Sequence, residues 1–250
     1  MTNNPFSLTN KTILITGASS GIGKATAIAC SKMGAKTIIT GRNLERLNET
    51  FNELEGKEHS LIQTDLTNEN EIKILIESID ALDGIVHSAG ISGHFLFNFL
   101  KENQLNEMMD INFKIPTLLT QQLLKQKKIN KEASIVFINS TSGILSSYIG
   151  GSIYSASKGA LNGLIKGLAL EYASKRIRFN GVMAAMVETP IMDTGDVTQE
   201  QLELDRQKYP LKRYGKPEEV AYAVIYLLSD ASAWTTGTNI LLDGGRTISY

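Results

Sequence analysis

Short runs of β-branched and apolar residues recur along the chain: KTILIT (11–16), KTIIT (36–40), SLIQ (60–63), GIVH (84–87), SIVFIN (134–139), IRFNGV (177–182) and NILL (239–242). Four to six such residues bounded by turn formers read as strands buried on both faces. Segments of helical length lie between most of them. GIGKATAIACSKMG (21–34) carries helix formers and stops at a glycine, and NLERLNETFNELEG (43–56) and NENEIKILIESI (68–79) repeat the rhythm. Strand alternating with helix predicts an α/β fold: a doubly wound, seven-stranded parallel sheet with helices on both faces. No repeat, low-complexity segment or Pro/Gly-rich linker divides the chain, so 1–250 is expected to form a single dinucleotide-binding and catalytic domain. Residues 191–216 are polar and irregular apart from a short helix expected at TQEQLELDRQ, which suits a substrate lid.

The first strand runs into TGASSGIG, Thr16 to Gly23. Glycines at 17, 21 and 23 let the backbone turn tightly and approach a pyrophosphate, while the following helix offers unsatisfied N–H groups and a positive dipole end. Ser19, Ser20 and Ile22 lie in the same loop and are candidate contacts. At the end of the second strand there is no acid between Thr37 and Leu44, and Arg42 stands where a cation would meet a ribose 2′-phosphate. The expected cofactor is therefore NADP(H); a solvated arginine opening a helix is the alternative.

YSASK, Tyr154 to Lys158, raises a question of acid–base chemistry. A phenol titrating near 10 is a poor proton donor or acceptor at neutral pH. On a helix, residues four apart share a face, and a cation at ~4 Å in an effective dielectric near 20 gains about 4 kcal/mol with a phenolate. Lys158 is thus expected to lower the Tyr154 pKa toward the range useful for catalysis.

The glycine spacing G-x-x-x-G-x-G, with DL (65–66), SAG (88–90), Asn112, YSASK and VET (187–189), resembles the short-chain dehydrogenase/reductase family, over essentially the whole chain. The resemblance implies a single Rossmann-type domain that transfers hydride between a nicotinamide and a carbonyl or alcohol, as in 3-oxoacyl-[acyl-carrier-protein] reductases; the alternatives are a hydroxysteroid, sugar or polyol dehydrogenase of the same family and a nucleotide-sensing binding protein without the chemistry. It implies that Tyr154 exchanges the proton, Lys158 also grips the nicotinamide ribose, and Asn112 bends its helix and supports the lysine through water. Ser140, in INSTSG, matches the serine that holds the substrate carbonyl, although it lies 14 residues before Tyr154 where the family has about 13; Thr141 and Ser142 are the alternatives. Asp65 and Leu66 would flank the adenine, with a local turn at Asp65 equally open. Ser88, Ala89 and Gly90 would approach the cofactor, and Val187 and Thr189 would orient the carboxamide.

Two departures stand out. HSAG replaces the usual Asn-Asn-Ala-Gly, and His87 is expected to make equivalent structural bonds. Ala184 and Ala185 replace the usual Pro-Gly, which leaves the local turn uncertain. In the helix expected over 152–175, Gly159, Gly163 and Gly167, four residues apart, each cost up to ~1 kcal/mol, so a close backbone approach is expected: from the same sheet or, as the resemblance implies, from a second subunit in a homodimer or homotetramer.

Charge narrows the partners. Lys plus Arg number 25 and Asp plus Glu 26, for a formal charge of −1. That balance gives no global field for nucleic acid or anionic lipid, and the expected partner is a small carbonyl or alcohol substrate, carrier-bound if Arg206, Lys208, Lys212 and Arg213 form a basic mouth. One cysteine, Cys30, excludes an internal disulfide, and no apolar run is long enough to span a membrane, so a cytoplasmic location is expected and no metal site is proposed. His94, Phe95, Phe97, Ile144, Tyr148, Ile149 and Met186 are candidates to line a moderately apolar substrate pocket.

Overall fold

In the computed structural model, which describes residues 4–192 and 198–249, seven strands form one parallel sheet in the order β3-β2-β1-β4-β5-β6-β7. The strands are β1 (Thr12–Thr16), β2 (Lys36–Gly41), β3 (Ser60–Gln63), β4 (Leu82–His87), β5 (Ile129–Ser140), β6 (Arg178–Ala184) and β7 (Asn239–Leu242). Strand order reverses between β1 and β4, and a crevice opens at such a switch point beyond the carboxyl ends of the strands.

Alternation along each strand sorts the core. Ile13, Ile15, Val86, Val136 and Val182 face α1 (Gly21–Lys32) and α8 (Pro217–Leu228). Leu14, Ile85, Ile135, Phe137 and Phe179 face α3 (Glu69–Ser78), α5 (Ile115–Lys125) and α6 (Ser152–Glu171). Cys30 is fully enclosed in the first layer, where burial pushes its thiol pKa up and keeps it unreactive. The remaining helices are α2 (Leu44–Asn52), α4 (Glu102–Met109) and α7 (Gln199–Arg206), the last within the expected TQEQLELDRQ segment.

The differences from the sequence reading have local causes. β5 begins at Ile129 rather than 134, because Ile129 pairs with Leu82 across an irregularity in register. β6 runs on to Ala184, which pairs with both Ser140 and Leu242. Its continuation answers the uncertainty over the lost Pro-Gly: Ala184 stays in the ladder, and Ala185 donates its N–H to the Leu242 carbonyl at 3.0 Å. The helix expected over 152–175 stops at Glu171, followed by a tight turn at Ala173–Lys175 and a left-handed Arg176. α2 ends before Gly56. Of the segment expected as a lid, 193–197 lies outside the described residues. No helix among the described residues is long and apolar enough to cross a membrane.

Candidate active site

The carboxyl ends of β1, β4, β5 and β6 open into one cavity of about 880 Å³. Its walls include Gly17, Ser19, Ser20, Gly21, Ile22, Arg42, Asp65, Leu66, Ser88, Ala89 and Gly90 at one end. Ser140, Tyr154, Lys158, Val187 and Thr189 complete it. Two predicted residues stand behind this wall rather than in it. Gly23 packs against the Gly17 carbonyl, leaving no room for a Cβ, so the third glycine seats α1 on the loop. Asn112 is buried one layer further back.

Gly17 has φ +66°, and a Cβ there would sit 2.8 Å from the Ala89 Cα. Only glycine allows the loops after β1 and β4 to meet. Thr16 holds them together: its hydroxyl accepts from the Ser88 and Ala89 N–H groups, each at 3.2 Å. α1 starts with neither an acid in its first turn nor a side-chain cap. Its leading N–H groups therefore face the cavity with nothing on their own helix to satisfy them, and a pyrophosphate fits that chemistry. Arg42 is exposed at this end and forms no ion pair with any described residue, though its charge helps hold Asp65 below the usual carboxylate range. The larger cause at Asp65 is Thr67, whose N–H and hydroxyl donate to it at 2.9 and 2.8 Å, so the local turn is realised. Leu66 borders the cavity beside it.

Asn112 sits in a single widened π turn, Asp110–Lys114, between α4 and α5. The wider turn leaves its amide free to bond elsewhere. The Asn112 Oδ1 accepts from the Ile91 N–H at 2.9 Å, and its Nδ2 donates to the Ile91 carbonyl at 2.9 Å and to the Ser157 hydroxyl at 3.1 Å. It thereby pins the loop after β4 to α6 next to Lys158. A Cβ on Gly90 would meet both the Asn112 Oδ1 and the Lys158 Nζ, at 3.2 and 3.7 Å.

Ser140 closes β5. Its Oγ accepts from the Ser142 N–H at 3.1 Å, which leaves the hydroxyl proton free to be donated elsewhere. Of the three hydroxyl candidates, Ser140 is the one whose hydroxyl bears on the Tyr154 pKa, holding it down. Thr141 and Ser142 also border the cavity.

The electrostatics depart from expectation. Lys158 does not bring the phenol down in the chain alone; burial pushes the Tyr154 pKa up, and the Ser140 hydroxyl is what opposes it. The reason is placement. Lys158 Nζ donates to the Ile138 carbonyl at 2.9 Å and lies 5.9 Å from the Tyr154 ring centroid. Burial also lowers the pKa of Lys158 itself to about 8.

His87 is structural, as expected. Its Nε2 shares a hydrogen bond with the Thr120 hydroxyl at 2.8 Å, and its ring stacks on Phe137 at 4.9 Å. Burial lowers its pKa to about 3.

On the substrate side, His94, Tyr148 and Met186 border the cavity, whereas Phe95, Phe97, Ile144 and Ile149 do not. Leu145, Ile191, Leu202, Tyr209 and Arg246 do, and the sequence reading missed them. Arg246 follows β7, so the rule that ligands bind off strand ends pointed to it; nothing in the sequence singles out Tyr209. The basic mouth is largely cancelled: Arg206 pairs with Glu203 at 3.1 Å, Lys208 with Asp205 at 3.3 Å and Arg213 with Glu219 at 2.6 Å. Lys212 donates to the Gln207 carbonyl.

A glycine-lined crevice at the switch point of a doubly wound sheet, faced by serine, tyrosine and lysine, defines a nucleotide-dependent oxidoreductase. A family model described as enoyl-(acyl carrier protein) reductase matches residues 17–247. A 3-oxoacyl-[acyl-carrier-protein] reductase FabG of Rickettsia prowazekii is 37% identical over 95% of this chain and 97% of its own. A glucose 1-dehydrogenase of Gluconobacter oxydans is 32% identical over 95% and 92%. A crystal structure from Beutenbergia cavernae, provisionally assigned as an NAD(P)-dependent gluconate 5-dehydrogenase and holding NADP at low occupancy, has a TM-score of 0.89, 25% identity and coverage of 98% and 100%. The chain belongs to the short-chain dehydrogenase/reductase family and is one of its nicotinamide-dependent oxidoreductases.

The buried neutral His87 sets a pH dependence of stability. Unfolded, it binds a proton near 6.5; folded, it resists until about 3, so stability falls as pH drops through that window. The full separation is worth on the order of 5 kcal/mol. His87→Asn, which cannot titrate, should be less stable than wild type at pH 7 in urea unfolding, and the gap should close by pH 4.5. A gap of constant size would remove the histidine from the acid limb.

Proposed function

We propose that the protein is an NADPH-dependent carbonyl reductase acting reversibly on 3-oxoacyl thioesters. The observation that carries the reaction type is that Ser140, Tyr154 and the buried Lys158 line one crevice. A bound nicotinamide would supply the hydride. The chain's own residues handle the oxygen. Ser140 donates its free hydroxyl proton to the substrate carbonyl, and Tyr154 transfers its proton to the same oxygen as negative charge develops there. A phenol held above its ordinary pKa by burial stays protonated at neutral pH, the form that reduction consumes. Lys158 and Tyr154 would hold the nicotinamide ribose, Val187 and Thr189 the carboxamide, and Ser88, Ala89 and Gly90 the face of the crevice beside it. Asn112 positions Lys158 through Ser157.

Relatives support the thioester: the 3-oxoacyl-[acyl-carrier-protein] reductase is matched over nearly its whole length. A second reading, oxidation of a sugar, is favoured by the glucose 1-dehydrogenase at 32% identity and by the hydroxyls of Ser92, Ser142, Ser146 and Ser147 in the cavity wall. The described part of 191–216, which carries α7, would form the substrate lid of a single domain. The same reading keeps the enzyme in the cytoplasm, where one buried, unpaired cysteine is at home. Gly159 packs on Gly143 of its own chain, but Cβ atoms on Gly163 and Gly167 would meet nothing within 4 Å, which supports a second subunit against that face of α6.

NADPH oxidation across 3-oxoacyl thioesters, sugars, steroids and simple ketones should be fastest with the thioesters; a sugar-only profile would favour the second reading. Tyr154→Phe should lower kcat by at least a thousandfold and leave NADPH affinity within about threefold, whereas near wild-type turnover would contradict the scheme. Arg42→Ala should erase a preference for NADPH over NADH, because it removes the cation available to the 2′-phosphate. In sizing, the protein should elute as a dimer or tetramer at micromolar concentration, and a monomer would reject the proposed assembly.

A further inference from the structure

Three asparagines distant in sequence are joined head to tail. Asn239, on β7, donates its Nδ2 to the Oδ1 of Asn162 on α6 at 3.0 Å. Asn139, on β5, donates its Nδ2 to the Oδ1 of Asn239 at 3.2 Å. The Asn139 Oδ1 in turn accepts from the N–H of Ser140 at 2.9 Å. Asn139 and Asn239 each accept at the oxygen and donate from the nitrogen, and Asn162 accepts at the end of the chain, so the dipoles align and each bond polarises the next.

The fold has made room for this chain. β6 lies between β5 and β7. Its Gly181 pairs with Asn239, and a Cβ at Gly181 would collide with the Asn239 Oδ1. Any other residue at 181 would therefore disturb the crossing. On the helix side, Tyr154, Lys158 and Asn162 recur every four residues and share one face of α6. The chain ties the helix bearing the proton donor to the strand end bearing the hydroxyl. Asn139 is almost wholly buried, where an unpaired amide is costly, so the bonds are held rather than exchanged with water.

We propose that Asn139, Asn239 and Asn162 are positioning residues that fix Ser140 against the Tyr154–Lys158 helix. The proposal rests on reading Ser140 and Tyr154 as the reacting pair. Neither Asn239 nor Asn162 borders the cavity. Their effect must travel through Asn139, whose bond sets the backbone at Ser140 while the Ser142 N–H fixes the lone pair on its hydroxyl. Displacing a reacting group by a fraction of an ångström is enough to cost about tenfold in rate.

Asn239→Leu replaces an amide by an apolar group of similar size and cuts the chain remote from the cavity; Asn162→Ala cuts it at the helix and covers the case in which the first variant fails to fold. Each should lower kcat about tenfold on the best carbonyl substrate and leave the NADPH Kd within twofold. Each should also raise the titration midpoint of Tyr154, followed by NMR of ring-labelled tyrosine and assigned with Tyr154→Phe, because the Ser140 hydroxyl that opposes the rise imposed by burial is no longer held in place. Folded variants with unchanged kcat and an unchanged Tyr154 titration, even at lowered Tm, would overturn the proposal and leave the amides purely structural. Should the wild type reduce none of the carbonyls, the functional reading fails, and the tyrosine titration still decides the positioning.

Discussion

An ammonium taken out of water must be given oxygen, and in this protein the requirement falls on Lys158. Burial costs the charged form enough to lower its pKa to about 8, and the Ile138 carbonyl near the end of β5 is what holds it. That one bond joins α6 to the strand end. Tyr154 lies one turn before the lysine on the helix, and Ser140 two residues beyond Ile138 on the strand. Docking the cation therefore brings phenol and hydroxyl together, and the remaining site is built around that junction. Asn112 supports it from the far side by pinning Ser157, and a bare Gly90 leaves room for both.

The sheet was legible because parallel strands are buried on both faces and so announce themselves as unbroken apolar runs. All seven strands fall within a few residues of those runs, except the first part of β5. There INKEA has no apolar alternation, and pairing with β4 rather than local preference makes it a strand. The glycine loop was legible for a related reason, since close backbone approach can be met only by glycine. What escaped is whatever depends on contacts between distant segments. The π turn at Asn112 does not alter the helical pattern of the sequence around it, and only the family resemblance pointed to a bend there. Thr16 reads simply as the last residue of β1, yet its hydroxyl joins two loops. The asparagine chain links positions 100 and 77 residues apart, and no local pattern encodes it.

The electrostatic expectation failed for an instructive reason. Spacing of four on a helix fixes which face two side chains share, not which atoms meet. Here one of the three ammonium donors goes to the Ile138 carbonyl, and burial raises the phenol pKa with the Ser140 hydroxyl opposing it.

The extra residue between Ser140 and Tyr154 can be located by the same bookkeeping of backbone groups. The Thr141 carbonyl accepts from both Leu145 and Ser146, and Gly143 donates to the Ser146 carbonyl. These bonds close a tight turn over 141–146. Gly143 adopts φ +101° in it, and a Cβ there would run into the Ser155 carbonyl. That turn lies after the strand and ahead of the helix, where an added residue would leave both undisturbed. β5 keeps its full register with β6 through Ser140 and Ala184. Had the insertion fallen inside the strand, every later side chain would have changed faces, and Thr141 rather than Ser140 would point where the phenol lies. An intact ladder keeps Ser140 at the strand end, the place from which the proposed role is argued.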